Sequence, residues 1–189
     1  MIPDHSRGNV DPQVTGSSPV GHPTPRTDDS ATSRLTVPDD DSREPEIGYR
    51  RVAISGSRGP DPSRGRMTGW TDLVLVERIM RRILERGDRI NVGDAPSGVD
   101  RMVAEVWNGA DWTEAYPSDY VKTYEARWEI EGRRAGHNRN AWMISESDEL
   151  IALFAPGPLT PGTTNAVECA ERKGIPVRIY HEGRWEIST

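Results

Sequence analysis

The sequence predicts an α/β domain of Rossmann-like topology over about residues 48–189, a three-layer fold with a mostly parallel sheet, preceded by a disordered tail over residues 1–47. Three observations predict it. Apolar runs of strand length alternate with amphipathic stretches long enough to cross over a sheet. Small and polar residues concentrate where those runs end, at the strand exits where such sheets take ligands. Large apolar side chains are nearly missing before residue 48, and seven of the 15 prolines lie there.

The elements follow in order. Arg51-Val52-Ala53-Ile54-Ser55-Gly56 reads as a short buried strand ending in a small-residue turn. Ser57 to Gly69 is a Gly/Pro/Arg-rich loop. Trp70 to Arg86 reads as a helix, with Leu73, Val76, Met80, Ile83 and Leu84 on one face and Gly87 as the residue that ends it. Arg89-Ile90-Asn91-Val92-Gly93 is a second strand, and Gly98 opens a helix whose apolar face carries Val99, Met102, Val103, Val106 and Trp107. Asp111 to Tyr116 is the candidate third strand, though weakly apolar. Asp119 to Glu146 reads as largely helical, with a kink or a break into two helices at Gly132 and Gly136. Glu149 to Phe154 is the clearest buried strand. Pro156 to Gly162 is a loop, Thr163 to Lys173 a short helix, Pro176 to Tyr180 the last core strand, and Trp185 to Ile187 a possible edge.

Composition sets bounds. The chain has 189 residues, 34% of them hydrophobic, and a net charge of -6; its mean hydropathy is -0.71. Residues 1–47 hold nine Asp or Glu against four Arg, so the acidity belongs to the tail and the rest is nearly neutral. A stretch of that kind buries too little apolar surface to offset the entropy of ordering it. Within it, Val14-Thr15-Gly16-Ser17-Ser18-Pro19-Val20 resembles a translated T-arm of a tRNA gene. Either translation starts further downstream or this is an ordinary disordered leader.

A near-neutral domain without a Lys/Arg block does not favour long nucleic acid as a partner. No apolar run approaches the ~18 residues that span a bilayer, and the amino terminus lacks a secretion signal, so no membrane partner is expected. The single cysteine, Cys169, excludes an internal disulfide and any cysteine zinc site. A reducing cytoplasm is the natural compartment. No metal and no resident cofactor are expected.

Three strand exits carry the candidate chemistry: Gly56-Ser57-Arg58, Gly93-Asp94 with Gly98 and Asp100, and Gly162-Thr163-Thr164-Asn165. Glycine lets a backbone approach a ligand closely. A helix starting straight after such a loop aims unpaired N–H groups and partial positive charge outward, a geometry suited to phosphate. Any one such loop is also what a helix-capping turn looks like; three at successive exits make coincidence less attractive. The first loop lacks the G-x-G-x-x-G spacing of dinucleotide sites and the Gly-Lys-Ser/Thr of a P-loop.

The segment Arg133 to Met143 adds three arginines and His137 beside a helix break. Arg139 and Asn140 read as ligand contacts there, whereas Arg133 and Arg134 read as a solvated face. Cys169 reads as a buried small residue. One of the tryptophans stacking on a base is possible, without a signal as to which.

Gly56-Ser57-Arg58, Gly93-Asp94-Ala95-x-x-Gly98-Val99-Asp100, Tyr116-Pro117, Ala135-Gly136-x-x-Arg139-Asn140-x-x-Met143 and Gly162-Thr163-x-Asn165 with Ala170, in this order, resemble the SLOG superfamily and within it the YspA-like branch. The resemblance covers about residues 50–181. It implies a Rossmann-like sheet, a nucleotide-type small-molecule ligand, often a homodimer, and relatives in phage-conflict and stress systems. LOG proteins, which remove ribose phosphate from nucleotide cytokinins, and the DNA-processing protein Smf/DprA belong to it. By this resemblance Arg139 looks like the ligand-contacting arginine of LOG proteins, and Gly162 and Thr163 like part of their phosphate loop. The LOG pattern Gly-Thr-x-x-Glu places Ala166 where the glutamate stands, and Glu168 is turned about 200° away from it on a helix. Cleavage of an N-glycosidic bond builds positive charge on the sugar, so a missing carboxylate argues for binding or sensing over LOG-type hydrolysis, unless Asp94, Asp100 or Glu168 replaces it. A nucleotide N-glycosidase or phosphoribohydrolase remains the alternative.

Overall fold

A computed structural model describes residues 48–188; the predicted tail, 1–47, lies outside the described residues. Six strands form one sheet in the order β3-β2-β1-β4-β5-β6. They are β1 (Arg51–Gly56), β2 (Arg89–Gly93), β3 (Val121–Tyr124), β4 (Glu149–Leu153), β5 (Val177–His181) and β6 (Arg184–Ser188). The first five pair in parallel, and β6 returns antiparallel along β5 as the edge. The chain runs outward from β1 through β2 to β3, then crosses to the other side of β1 to lay down β4 and β5. That reversal makes the β1/β4 junction the switch point of the sheet.

Alternation along the strands builds two core layers. Val52, Ile54, Ile90, Val92, Ile151 and Leu153 face one side. They meet Val76, Met80 and Ile83 of α1 (Leu73–Leu84) and Val99 and Val103 of α2 (Val99–Trp107). Ala53, Leu150, Ala152 and Phe154 face the other side. There they meet Met143 and Ile144 of α5 (Ala135–Ser145) and Ala166, Val167 and Ala170 of α6 (Pro161–Lys173). Each fully buried Ile, Leu or Met in these layers contributes about 1.5–3 kcal/mol relative to leaving it exposed.

Besides shifts of a residue or two at other element ends, four assignments differ from the sequence reading for a local reason. Asp111 to Tyr116 is not a strand: α3 (Ala110–Ala115) occupies it, and Trp112 turns into the first core layer. The third strand is Val121–Tyr124, inside the stretch read as helix. Its alternation is short, but Val121 packs against the first layer and Tyr124 is buried in the second, which is what a pleated strand does with successive residues. Helix α1 begins at Leu73 because Asp72 caps it, accepting the Leu75 N–H at 2.8 Å. Leu73 itself is 42% exposed rather than on the buried face. Helix α6 begins at Pro161, two residues before the expected Thr163, since proline suits the first helical position.

The expected break in the long helical stretch is at Gly132, whose φ of +54° separates α4 (Trp128–Glu131) from a short 3-10 turn and α5; Gly136 lies within α5. Helix α1 ends at Leu84 with Glu85 as its C-cap, not at Gly87, which closes the following turn with φ +79° and donates its N–H to the Leu84 carbonyl at 2.9 Å. Among the described residues no helix is long and apolar enough to cross a membrane.

Candidate functional site

A cavity of about 410 Å³ opens at the carboxyl ends of β1 and β4. Its size lies in the range of small-molecule sites, roughly 300–1,000 Å³. Of the residues singled out from the sequence, Gly56, Arg58, Asp100, Arg139, Asn140, Gly162 and Thr163 line it. They come from four different chain segments that the sheet brings together at its switch point. Ser57, Gly93, Asp94, Gly98, Thr164 and Asn165 do not line it, and the structure gives each another task.

Ser57 is 1% exposed and works as a clasp. Its N–H bonds the Leu153 carbonyl at 2.8 Å, its hydroxyl accepts the Ala155 N–H at 3.0 Å, and its Oγ lies 3.2 Å from Oγ1 of Thr160. Thr160 in turn donates to Oγ1 of Thr163 at 3.0 Å. This chain of hydroxyls ties the β1 exit to the start of α6. Thr164 sits one turn on, its hydroxyl donating to the Thr160 carbonyl at 3.1 Å.

The β2 exit is built around Arg139. Its Nη1 donates to Oδ2 of Asp100 at 3.0 Å and lies 3.6 Å from Oδ1 of Asp94. Both side chains of the closer pair are withdrawn from water, with 10% of Arg139 and 7% of Asp100 exposed. Burial raises the proton affinity of the Asp100 carboxyl, and the Arg139 charge and hydrogen bond oppose that rise. Asp94 also accepts the Ala126 N–H at 2.9 Å, anchoring the chain after β3. A Cβ on Gly93 would lie 1.1 Å from Nη1 of Arg139, so glycine there makes room for the guanidinium. A Cβ on Gly98, where φ is +78°, would lie 2.2 Å from the Ser57 carbonyl oxygen. Gly56 likewise faces protein, 2.3 Å from Cγ2 of Val99. These glycines permit close packing of the chain on itself.

Asn140 is 5% exposed and uses both amide hydrogens on protein, to the Gly162 carbonyl at 3.0 Å and Oδ1 of Asn165 at 3.2 Å. Its Oδ1 accepts no hydrogen bond from the described residues. The bond to Gly162 fixes the first turn of α6, whose Gly162 and Thr163 N–H groups have no partner within the helix.

Arg66, Trp128, His137, Thr160 and Arg133 also line the cavity, though none of them stood out from the sequence as a ligand contact. Arg133 was expected on a solvated face; it is exposed, and it is also on the cavity wall. Arg66 is held over the β1 exit by Nε donating to the Gly59 carbonyl at 2.7 Å and by Asp61 at 3.6 Å. The arginine density of the Ser57–Gly69 loop was its only signal. Among the described residues four arginines thus face the cavity against one carboxylate, Asp100, which is engaged by Arg139. Arg58 and Arg133 make no hydrogen bond or ion pair with the described residues. Among the described residues the wall therefore carries two unpaired cations, Arg58 and Arg133, beside a helix start. No cluster of three metal-ligating side chains occurs among the described residues.

No protein-family model matches the chain, and no curated protein matches it. Among solved structures, the Moco carrier protein of Chlamydomonas reinhardtii is similar at 20% identity and a TM-score of 0.44, over 70% of this chain and 76% of that one. DNA processing protein A from Helicobacter pylori, in a structure concerned with its single-stranded DNA binding mode, is similar at 20% identity and a TM-score of 0.46. That likeness covers 69% of this chain and 64% of the Helicobacter chain. The architecture itself rests on the strand order and pairing described above.

Proposed function

We propose that this domain binds or senses a nucleotide or nucleotide-derived small molecule in the switch-point cavity. The observation that carries the reading is convergence: Arg58 and Arg133, both unpaired among the described residues, and the first turn of α6 face one cavity whose single carboxylate among those residues, Asp100, is already paired. Cations without protein partners and orphan helix N–H groups recognise phosphate oxygens with charge-assisted hydrogen bonds. The volume suits a molecule of mononucleotide size better than a polymer.

Binding without turnover is favoured over LOG-type cleavage by the carboxylates. Ala166, at the position of the LOG glutamate, is 0% exposed within the second core layer. Glu168 is exposed and does not line the cavity. Asp100, which does line it, holds Arg139 in place. Among the described residues no carboxylate is free there to stabilise a cationic sugar.

Calorimetric titration with mononucleotides and cyclic nucleotides, together with mass spectrometry of any small molecule that co-purifies, tests the reading. Micromolar binding that is lost on Arg58→Ala with Arg133→Ala supports it. Release of free base, followed by chromatography and abolished by Arg139→Ala, replaces it with the enzyme reading. Salt-sensitive binding to single-stranded DNA alone defeats both.

A further inference from the structure

Five of the six tryptophans in the chain have a structural partner. Trp70 and Trp112 are buried in the first core layer, and Trp107 packs against it. Trp142 is 43% exposed, but its ring meets Tyr124 edge-on at 5.1 Å and its Nε1–H donates to Glu146 at 2.8 Å. Trp185, 46% exposed, meets the Tyr180 ring at 5.1 Å. Trp128 is different. It is 52% exposed, lines the cavity, and has neither a ring contact nor a hydrogen bond on its indole N–H among the described residues.

Leaving half of the largest apolar side chain in water forgoes stabilisation that burial would supply. The surroundings keep the ring available. A Cβ on Gly136 would already lie 3.4 Å from Cη2 of Trp128, so any longer side chain at 136 would fill the space beside the six-membered ring. Gly136 lines the same cavity. One wall therefore offers a bare aromatic face, and the others offer arginines and a helix start.

We propose that Trp128 is the stacking platform for the base of the bound nucleotide, and that purine nucleotides are the preferred ligands. This rests on the reading of the cavity as a nucleotide site. Stacking needs a flat π-face that a base can cover and so withdraw from water, and the exposed indole at the cavity wall supplies that face. The strength of stacking grows with ring overlap, which favours the bicyclic purines over pyrimidines. Phosphate held by the arginines and the helix start would leave the base beside this indole.

The test is calorimetric titration of the full chain with AMP, CMP and inorganic phosphate, for the wild type and for Trp128→Ala, Trp128→Phe and Gly136→Leu. AMP is expected to bind more tightly than CMP. Trp128→Ala should weaken AMP by about 5- to 150-fold, the range found when an aromatic platform is truncated, and leave inorganic phosphate unchanged. Trp128→Phe should recover most of the loss, and Gly136→Leu should weaken AMP while sparing phosphate. AMP affinity indifferent to Trp128→Ala overturns the platform while leaving the nucleotide site standing. Equal affinities for AMP and CMP overturn the purine preference. A wild type that binds neither nucleotide defeats the reading of the cavity, and the platform with it.

Discussion

The exits of β2 and β4 are both rich in glycine, yet they do opposite things. At the β2 exit the glycines are closed in by the protein: a Cβ on Gly93 would strike Arg139, and one on Gly98 would strike the Ser57 backbone. At the β4 exit a Cβ on Gly157 or Gly162 would meet nothing within 4 Å. One exit is a socket for the chain's own arginine, and the other leaves a bare helix start facing the cavity. Glycine content alone therefore does not mark a ligand loop; what occupies the space a side chain would fill decides it.

The sharpest way to break this contrast is to empty the socket. Arg139→Ala leaves Asp100 buried without its partner, and loss of one member of a buried pair costs about 3–5 kcal/mol. Urea denaturation should show it as a lower midpoint, and a loss within 0.5 kcal/mol would show that the β2 exit is not built around this arginine. Next is Gly93→Ala, which adds a single methyl group where the guanidinium lies. Overpacking of this kind costs about 1–3 kcal/mol. Nucleotide affinity should fall as well, because Arg139 must move.

A carboxylate outside both exits provides a scale. Glu146 is held down to about 2 by hydrogen bonds from Lys122 and Tyr124, with burial acting against them. A depressed carboxylate stabilises the fold above its unfolded value, and that contribution is lost as the pH falls through the folded one. The gap in melting temperature between wild type and Glu146→Gln should therefore be constant at neutral pH and close between about pH 4.5 and 2. Because the Glu146 side chain is 36% exposed, the gap should be small. A gap unchanged across that window would deny the coupling.

The smallest effect on stability is expected at the β4 exit. Gly162→Ala places its methyl in open space in a helical turn, so the melting temperature should hold or rise slightly. Nucleotide or phosphate affinity should nevertheless drop, since that space is where an anion would approach. A variant that binds as the wild type does would make the β4 exit a plain helix cap.

Much of the architecture was legible in local pattern. The runs at Val52–Ile54, Ile90–Val92 and Leu150–Leu153, apolar except for the hydrogen-bonded Asn91, are buried at every residue, as strands covered on both faces are. Strand β3 was not legible, because its one fully buried residue is Tyr124 and its neighbours are polar. Its pairing with β2 supplies what its sequence lacks. In the site, Arg139 and Gly162 stood out through their motifs, whereas Arg66 lies in an irregular loop and Trp128 in a helical stretch where no motif marks it.

The sequence by itself determined the alternation of strands and helices, the small-residue exits, and the presence of more arginine than a plain loop requires. These depend on neighbours within a turn or two along the chain, so a linear pattern records them. Only the tertiary structure decided which glycines serve the protein and which leave room for a ligand, that Asp100 belongs to Arg139, and that one tryptophan is left bare at the cavity. Those outcomes depend on which atoms from distant segments fill the same few ångströms, and spacing along one segment carries no record of that.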